Sequence, residues 1–549
     1  MSKEKFWSLF LLVSGCILVY SNSLYNAFVL DDIPAISNNL QIKQLFSFWL
    51  DPQTFLNSLA YNLTGLNVVT YHLISILVHS MNTVLVFLFI RLFLKTIPSF
   101  FGALLFAVHP IHSEAVVWIS GRPYLIFTFF TLLTYFLYYK ATYSMEIKKG
   151  NQKIYFILSL LIFSYFIFKN FTFYILCPFL IILSDLVFDK WRDNWKLWMP
   201  FILIVLIRIF FAQDILQRRI TATLSYLGYG IDNNEFYINP FFSFIYSIFS
   251  HLWLLLWPSR LTFYHEPIIF RPLFILLGSI VLCLSVCFLP SLFKNHKLIL
   301  FGVGIYTLFL FPTFSPLPIA TVVAERYAYF PSIALSIIAA YFFERRFKRE
   351  NYTQRKWFTV LFIVVIIAAT VRTLIRNGDW RDSEILFRKT LEISPKSPSA
   401  HVGMGTVYFH QGNIDKAIEE FNQAIQLKPN YAEAYNNRAN AYYSKCMYKQ
   451  AFSDLNLAIT FKPDYALAFY NRGMVFYNMG DFNRAILDLD NAIQFNPDYA
   501  EAYNSRAIAY FYKKEYKKSR EDLSKAEYLG YKVYPIFQAD LEKHLTTKK

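Results

Sequence analysis

Two aspartates, Asp31 and Asp32, stand side by side just past the first apolar run of the chain. Paired carboxylates suit acid–base work, one taking a proton from a hydroxyl while its neighbour orients it. Other residues able to take part recur further along. His109, His112 and Glu114 lie in a polar run that leads to Gly121-Arg122, and Lys169, Arg218-Arg219, His265-Glu266 and Glu325-Arg326 follow. Cations beside acids suit a reaction in which a phosphate leaves and its developing charge must be stabilised. A carboxylate near Lys or Arg is ionised at neutral pH, as a base must be. His109 and His112 are metal-ligand types at i,i+3, but Pro110 between them breaks the helix that would align them. Hydrogen bonding in a tight turn is therefore expected there, with no metal and no cofactor. Each residue also has an ordinary role open to it. The aspartates can cap a loop helix, Lys169 can snorkel to a membrane boundary, and Glu325-Arg326 can pair locally.

The elements that must position these residues are apolar. Of 549 residues 56% are hydrophobic and only 16% charged, against roughly 25% charged in a soluble domain. With 58 Phe and 39 Tyr, the chain is neither disordered nor fibrous, and a polytopic membrane protein is the expected class. From Arg376 onward 24 Lys and Arg face 21 Asp and Glu, so all but +3 of the net charge of +16 lies in the apolar part. That distribution excludes a nucleic-acid partner and fits short basic loops on the cytoplasmic side of a membrane.

Stretches of about 20 apolar residues can span a bilayer as helices. Eleven candidates run over 6–22, 70–94, 97–110, 121–140, 154–168, 171–187, 196–213, 271–290, 298–312, 327–343 and 357–375. Eleven spans bring all the basic clusters, from Lys3/Lys5 to the Arg345–Lys356 stretch, to the cytoplasmic side. A twelfth over 238–257 would reverse the last two, so that run reads as re-entrant or interfacial. The apolar run after Lys5 continues past Cys16 to Tyr20, as an uncleaved first span would. Five cysteines with no CxxC spacing imply no disulfide framework. Every polar group named above then falls at the external end of the spans. A transport pathway would instead scatter charge through the membrane's depth.

Residues 376–549 follow another rule. Pro395, Pro429, Pro463 and Pro497 are 34 residues apart, as are Ala417, Ala451 and Ala485, with Ser519 next in step. Small residues at Gly405, Ala439, Gly473 and Ala507 and aromatics at Tyr408, Tyr442, Phe476 and Tyr510 keep the same period. This is the helix–turn–helix pattern of the tetratricopeptide repeat. The expected architecture is all-α: a polytopic membrane bundle over 1–375, a connecting helix over 376–397 and a repeat solenoid over 398–549. Asn437, Asn471 and Ser505 occupy the groove-facing position of successive first helices. An amide offers both a donor and an acceptor to an extended peptide backbone, and the arrangement resembles the asparagine ladder of O-GlcNAc transferase.

The motifs together carry a resemblance. The aspartate pair in a long first external loop resembles the GT-C superfamily of polyprenyl-phosphate-sugar-dependent glycosyltransferases. Tyr71-His72-Leu73 with His79, the run His109–Arg122, Glu325-Arg326-Tyr327-Ala328-Tyr329-Phe330-Pro331 and Asn377-Gly378-Asp379-Trp380 leading into repeats are similar to the transmembrane and tetratricopeptide-repeat O-mannosyltransferases. The resemblance implies transfer of mannose from a lipid-linked donor to a protein hydroxyl, with inversion, at the external face of a bacterial inner membrane (or the luminal face of the ER). It implies Asp31 or Asp32 as base, Lys169, Arg326 and Arg122 on the donor phosphate, and His109, His112, Glu114, His265 and Glu325 around the pocket. Its implied partners are membrane lipid, the lipid-linked sugar donor and an extended protein acceptor on the repeats. Two departures remove a carboxylate that the family pattern would supply: Asn170 follows Lys169, and Pro123-Tyr124 follow Arg122. The competing expectations are a membrane-anchored scaffold without catalysis and transfer to a glycan or lipid acceptor.

Overall fold

A computed structural model describes residues 3–37, 42, 51–143, 149–169, 174–212, 240–263, 294, 296–311, 323–349 and 352–546. Among them every regular element is helical, as lipid demands of a chain whose backbone polar groups must be satisfied internally. The chain divides into two compact units, residues 1–389 and 390–549.

The first unit contains α1 (Lys3–Tyr20), α2 (Pro52–Thr64), α3 (Val68–Ile90), α4 (Thr96–Val108), α5 (Ser113–Val117), α6 (Pro123–Thr142), α7 (Lys149–Lys169), α8 (Cys177–Val187), α9 (Trp191–Phe211), α10 (Pro240–Leu256), α11 (Lys297–Leu310), α12 (Ser332–Arg349) and α13 (Tyr352–Gly378). Six described helices are long and apolar enough to cross a membrane: Lys3–Ser23, Val68–Ile90, Ile119–Thr142, Asn151–Lys169, Trp191–Phe211 and Thr353–Gly378. A seventh results if α4 and the following Pro110–Val117 segment, bent by 49°, form one broken span. The bend falls at Pro110, which cannot continue the helical ladder. The segments over 177–187, 245–256 and 297–310 are apolar but shorter. The expected span 271–290 lies outside the described residues.

Helix α3 packs on α1, α4 and α6, and α4 packs on α12. Their approach is close at Gly102, where an added Cβ would come within 2.5 Å of the Ser336 carbonyl, a small-residue contact of the kind membrane helices use. Tyr20, Phe87, Phe106, Tyr135 and Tyr329 are fully buried between them. Outward residues such as Leu203, Phe210, Val364 and Ile367 remain exposed. Apolar side chains can face outwards because their solvent is hydrocarbon.

The second unit is a stack of helix pairs. Helix α14 (Ser383–Ile393) straddles the boundary. The pairs are α15 (Pro398–His410) with α16 (Ile414–Leu427), α17 (Ala432–Ser444) with α18 (Tyr448–Phe461), α19 (Ala466–Asn478) with α20 (Phe482–Phe495) and α21 (Ala500–Tyr512) with α22 (Tyr516–Tyr528); α23 (Pro535–Thr546) packs on the last. The small residues meet the partner helix as their period requires: a Cβ on Gly405 would lie 2.6 Å from the Phe421 ring. Each intra-pair turn is closed by one residue with positive φ, at Gly412 (79°), Cys446 (58°), Gly480 (79°) and Lys514 (63°), again 34 residues apart.

A second ladder runs along the helix pairs. Arg438, Arg472 and Arg506 each make a bidentate contact to the carboxylate 16 residues later, Asp454, Asp488 and Asp522, at 2.6–2.8 Å. The remaining Nη1 of each donates to the residue 16 earlier, Asn422, Asn456 and Asp490. One guanidinium thus ties a first helix both to its own partner and to the second helix of the preceding repeat. Its planar fork suits this geometry in a way that an ammonium does not.

Candidate active site

The aspartate pair is formed by a strained elbow. Leu30 adopts φ 54°, a left-handed backbone that costs a branched residue energy and often marks functional sites. It sends the two acids in opposite directions: Asp31 is exposed and Asp32 fully buried. Asp32 accepts from the Ser120 backbone N–H (2.7 Å), the Ser120 hydroxyl (2.6 Å) and the Val29 N–H (3.4 Å). Burial pushes its carboxyl up to about 6, even though the Ser120 and Val29 donors and the Arg122 charge work against the rise.

Ser120 is placed by the turn between α5 and α6, and Arg122 closes that turn. Arg122 is fully buried, and its guanidinium donates to Ser75 Oγ (3.0 Å), Asn57 Oδ1 (2.8 Å) and the Tyr71 carbonyl (2.9 Å). Expected as a phosphate ligand, it is instead turned inwards, bracing α2 and α3 against the loop that holds Asp32.

Glu325 and Arg326 are neighbours on a short 3-10 turn (Glu325–Ala328), yet they do not pair with each other. Arg326 donates to Glu114 from both its backbone N–H (3.0 Å) and its guanidinium. Glu325 receives two bonds from Arg376, at 2.8 and 3.2 Å, and Arg376 also reaches Asp379 at 3.1 Å. Glu114 and Glu325 are wholly buried and Arg376 nearly so, whereas the Arg326 side chain keeps 12% of its surface. Burial alone lowers the Arg326 affinity for its proton, but the Glu114 carboxylate outweighs it and holds the group charged. Burial raises the Glu325 carboxyl well above the usual carboxylate range, and Arg376 draws it only part of the way back.

Aromatic rings join the two ion pairs. Arg326 lies 5.4 Å from the Trp118 ring and 4.9 Å from that of Tyr327, and Arg376 lies 5.6 Å from Trp380. Trp118 and Trp380 stack at 6.1 Å, and Phe263 meets both edge-on. The end of α13 also clamps the first loop. Asn377 donates to the Val19 carbonyl and to Asn22, Asn26 donates to the Asn377 carbonyl, and the His72 ring contacts the Asn26 carbonyl at 3.0 Å.

The structure therefore brings together Asp32, Glu114, Arg122, Glu325 and Arg326, and leaves Asp31 exposed next to Asp32 in the chain. Lys169 ends α7 at the same end of the bundle as Arg122, because Phe166 stacks on Phe130 at 3.6 Å and the Tyr174 hydroxyl donates to the Ile126 carbonyl. The two histidines, expected around the pocket, are directed into the scaffold. His109 accepts from the Ile111 N–H and contacts the Leu255 carbonyl, and His112 contacts Ser332 Oγ at 2.8 Å. Their interior packing follows from the bend at Pro110. His265 lies outside the described residues, as do Arg218 and Arg219. Among the described residues no three His, Cys, Asp or Glu side chains converge as a metal site.

Sequence reading missed Ser120, Asn57, Arg376 and Asp379. Ser120 sits inside the motif that ends at Arg122, and Arg376 directly precedes Asn377-Gly378-Asp379-Trp380, so position in a motif was the available signal. In the second unit, Asn471 donates to Asn436 of the preceding repeat (2.8 Å), and Asn436 donates to Asn437 (3.2 Å). Ser505 sits 3.5 Å from the Tyr470 hydroxyl. The amides are thus linked to one another from one repeat to the next.

Fold and site define an integral membrane protein with a buried acid–guanidinium cluster at one end of its bundle and a tetratricopeptide solenoid after it. The repeats match the models described as TPR repeat over residues 405–445 and Tetratricopeptide repeat over residues 466–499. Protein O-mannosyl-transferase TMTC3 of Mus musculus is 26% identical over 491 residues, covering 77% of this chain and 51% of that protein. Protein O-mannosyl-transferase TMTC4 of Homo sapiens is 26% identical over 495 residues, covering 76% and 66%. Among solved structures, the crystal structure of MamA is 27% identical with a TM-score of 0.25, covering 26% of this chain and 84% of that one. The chain is similar to the protein O-mannosyl-transferases along about three-quarters of its length, as the motif resemblance implied, and it spans about half the length of the TMTC3 proteins it matches.

Proposed function

We propose that this chain is a membrane mannosyltransferase that moves mannose from a polyprenyl-phosphate donor to a hydroxyl of a protein acceptor. The transfer takes place at the external face, and the repeats hold the acceptor. The observation that carries the reading is the division of the aspartate pair. Asp31 is exposed and available to a substrate, while Asp32 is buried on Ser120 and fixes the elbow. Asp31 is accordingly the base. It takes the proton of the acceptor hydroxyl as that oxygen bonds to the sugar's C1. The bond from C1 to the phosphate oxygen breaks on the opposite side, and its electron pair leaves with the polyprenyl phosphate, inverting the anomeric centre. Arg326, with Lys169, stabilises the leaving phosphate, and Glu114 holds Arg326 in place. The reaction needs no metal or cofactor. On the repeats, Asn437, Asn471 and Ser505 meet the acceptor's backbone, so that chain is bound without reading its sequence. The side of the membrane follows from the basic loops, which retain the opposite ends of the spans in the cytoplasm.

The test is transfer of labelled mannose from polyprenyl-phosphate-mannose by the purified full chain in vesicles, onto protein and onto lipid acceptors, with Asp31→Asn, Asp32→Asn and Arg326→Lys alongside. Label in protein that is lost in Asp31→Asn with the fold intact supports the reading. Label in lipid only moves the acceptor. Equal label in every variant removes the aspartates from the chemistry, and no label with any donor leaves the scaffold reading.

A further inference from the structure

We propose that the last repeat of the solenoid carries a cation-binding cage, Glu501 ringed by Tyr470, Tyr499 and Tyr531, which takes a lysine or arginine side chain of an extended chain lying in the groove. Contacts between repeats define the face on which the cage stands. Successive first helices, α15, α17, α19 and α21, pack on one another. Polar side chains join them at a step of 35 residues: Asn436 with Asn471, Tyr443 with Asn478 and Tyr470 with Ser505. Glu501 and Ser505 are four positions apart on α21 and therefore share that face. The Tyr470 hydroxyl meets Ser505, and the Tyr470 ring lies 5.0 Å from the Tyr499 ring, centre to centre. Tyr531 arrives from the turn between α22 and α23.

Charge identifies the occupant. Glu501 is exposed, and among the described residues no lysine or arginine pairs with it. Burial holds the protons of Tyr470, Tyr499 and Tyr531 above the ordinary phenol range, and the Glu501 charge adds to the rise at each of the three. One unpaired carboxylate thus faces three neutral rings. The carboxylate and the ring faces both attract a cation, and both repel an anion. No other repeat combines these residues. At the place of Glu501 the preceding repeat has Leu467, and the one before it has Glu433, which already accepts from the Tyr431 hydroxyl at 3.2 Å. At the place of Tyr470 stand Asn436 and Asn504. The cage adds one demand, a basic side chain, to a groove whose amides meet only backbone. The inference rests on the groove as the seat of the acceptor, not on the sugar transfer, and its test involves no turnover.

The detergent-purified full chain and its Glu501→Gln variant are each panned against a random library of short peptides. Peptides kept by the unsubstituted chain should be enriched in lysine or arginine at one position, and those kept by Glu501→Gln should not. One enriched peptide is then titrated by fluorescence anisotropy. Replacing its basic residue by glutamine, or Glu501 by glutamine in the protein, should each weaken binding about five- to tenfold. The two changes together should cost no more than either alone, as for groups in contact. Tyr470→Phe keeps the ring and should bind nearly as the unsubstituted chain does, whereas Tyr470→Leu should bind several-fold more weakly. An acid in the first turn of α21 also suits the helix dipole; that role would move the melting of the repeats and leave the cycle additive. Losses that multiply in the cycle overturn the cage and leave the groove reading standing. Peptides without a basic position that bind both proteins alike do the same. Peptides retained by neither protein sink the groove reading, and the cage with it.

Discussion

Replacing Asp32 by asparagine should stabilise the membrane unit at neutral pH. Burial raises the Asp32 carboxyl from 3.8 to about 6. At about 1.4 kcal/mol per unit, the ionised side chain therefore weighs against the folded state by about 3 kcal/mol above pH 6. The sign follows from proton counts. Between pH 3.8 and about 6 the folded chain retains a proton that the unfolded chain has released, so stability falls as pH rises through that window. Below it both states are protonated and the penalty is absent. Asparagine keeps one acceptor for Ser120 but loses part of a charge-assisted arrangement, at about 1–2 kcal/mol. The net gain at pH 7 is about 1–2 kcal/mol. Thermal unfolding of the detergent-purified full chain, followed from about pH 4 to about pH 7 for wild type, Asp32→Asn and Asp31→Asn, measures it. The Asp32→Asn advantage should grow across the window and disappear or reverse at its acid end, and Asp31→Asn, at an exposed position, should track wild type. An Asp32→Asn protein that is less stable at pH 7, or whose difference from wild type ignores pH, would refute the reasoning. It would make Asp32 an ordinary structural anion.

Cys446→Gly and Lys514→Gly place in two repeat turns the residue already found at Gly412 and Gly480, and each should raise the stability of the repeats by about 0.5–1 kcal/mol in a melting experiment. Arg472→Ala strands the nearly buried Asp488 and unties two repeats, with an expected loss of about 2–3 kcal/mol, and Arg472→Lys should recover only part of it. Arg376→Ala leaves the fully buried Glu325 unpaired and should cost about 3–5 kcal/mol. Adding Glu325→Leu to it should return much of that loss in a double-mutant cycle.

Helical periodicity and apolar length made the spans and repeats legible, because both are local properties of the chain. Gathering of the polar groups at one end was legible for the same reason: spans of fixed length put alternate loops on one side. Partnership within that end was not. Glu325 and Arg326 look like a pair, but side chains one position apart on a 3-10 turn diverge, and their partners stand 51 and 212 residues away. Arg122 was expected on the donor phosphate from the resemblance and from its charge, and the partner that turns it inwards, Asn57, lies in another helix. The Arg438, Arg472 and Arg506 ladder was readable in principle. It keeps the 34-residue period, and a helical hairpin brings position i near i+16, but the chemistry sought was that of the groove and not of its support.

Burial narrows the site more than residue type does. A buried ion pair repays its desolvation only when the remaining donors and acceptors are also satisfied. The cluster meets that condition: Arg376 serves Glu325 and Asp379, Arg122 serves three neutral oxygens, and Arg326 reaches Glu114 from both side chain and backbone. Groups so engaged are committed to holding the turns together. Of the three guanidiniums, Arg326 alone keeps an appreciable exposed edge, and of the two aspartates only Asp31 is exposed. The groups of the cluster left exposed are thus one carboxylate, on the first loop, and the edge of one guanidinium, on the 3-10 turn before α12. That difference in exposure is what makes Asp31 and Arg326 the informative positions for transfer assays, and Glu114, Arg122, Asp32 and Arg376 the informative ones for stability.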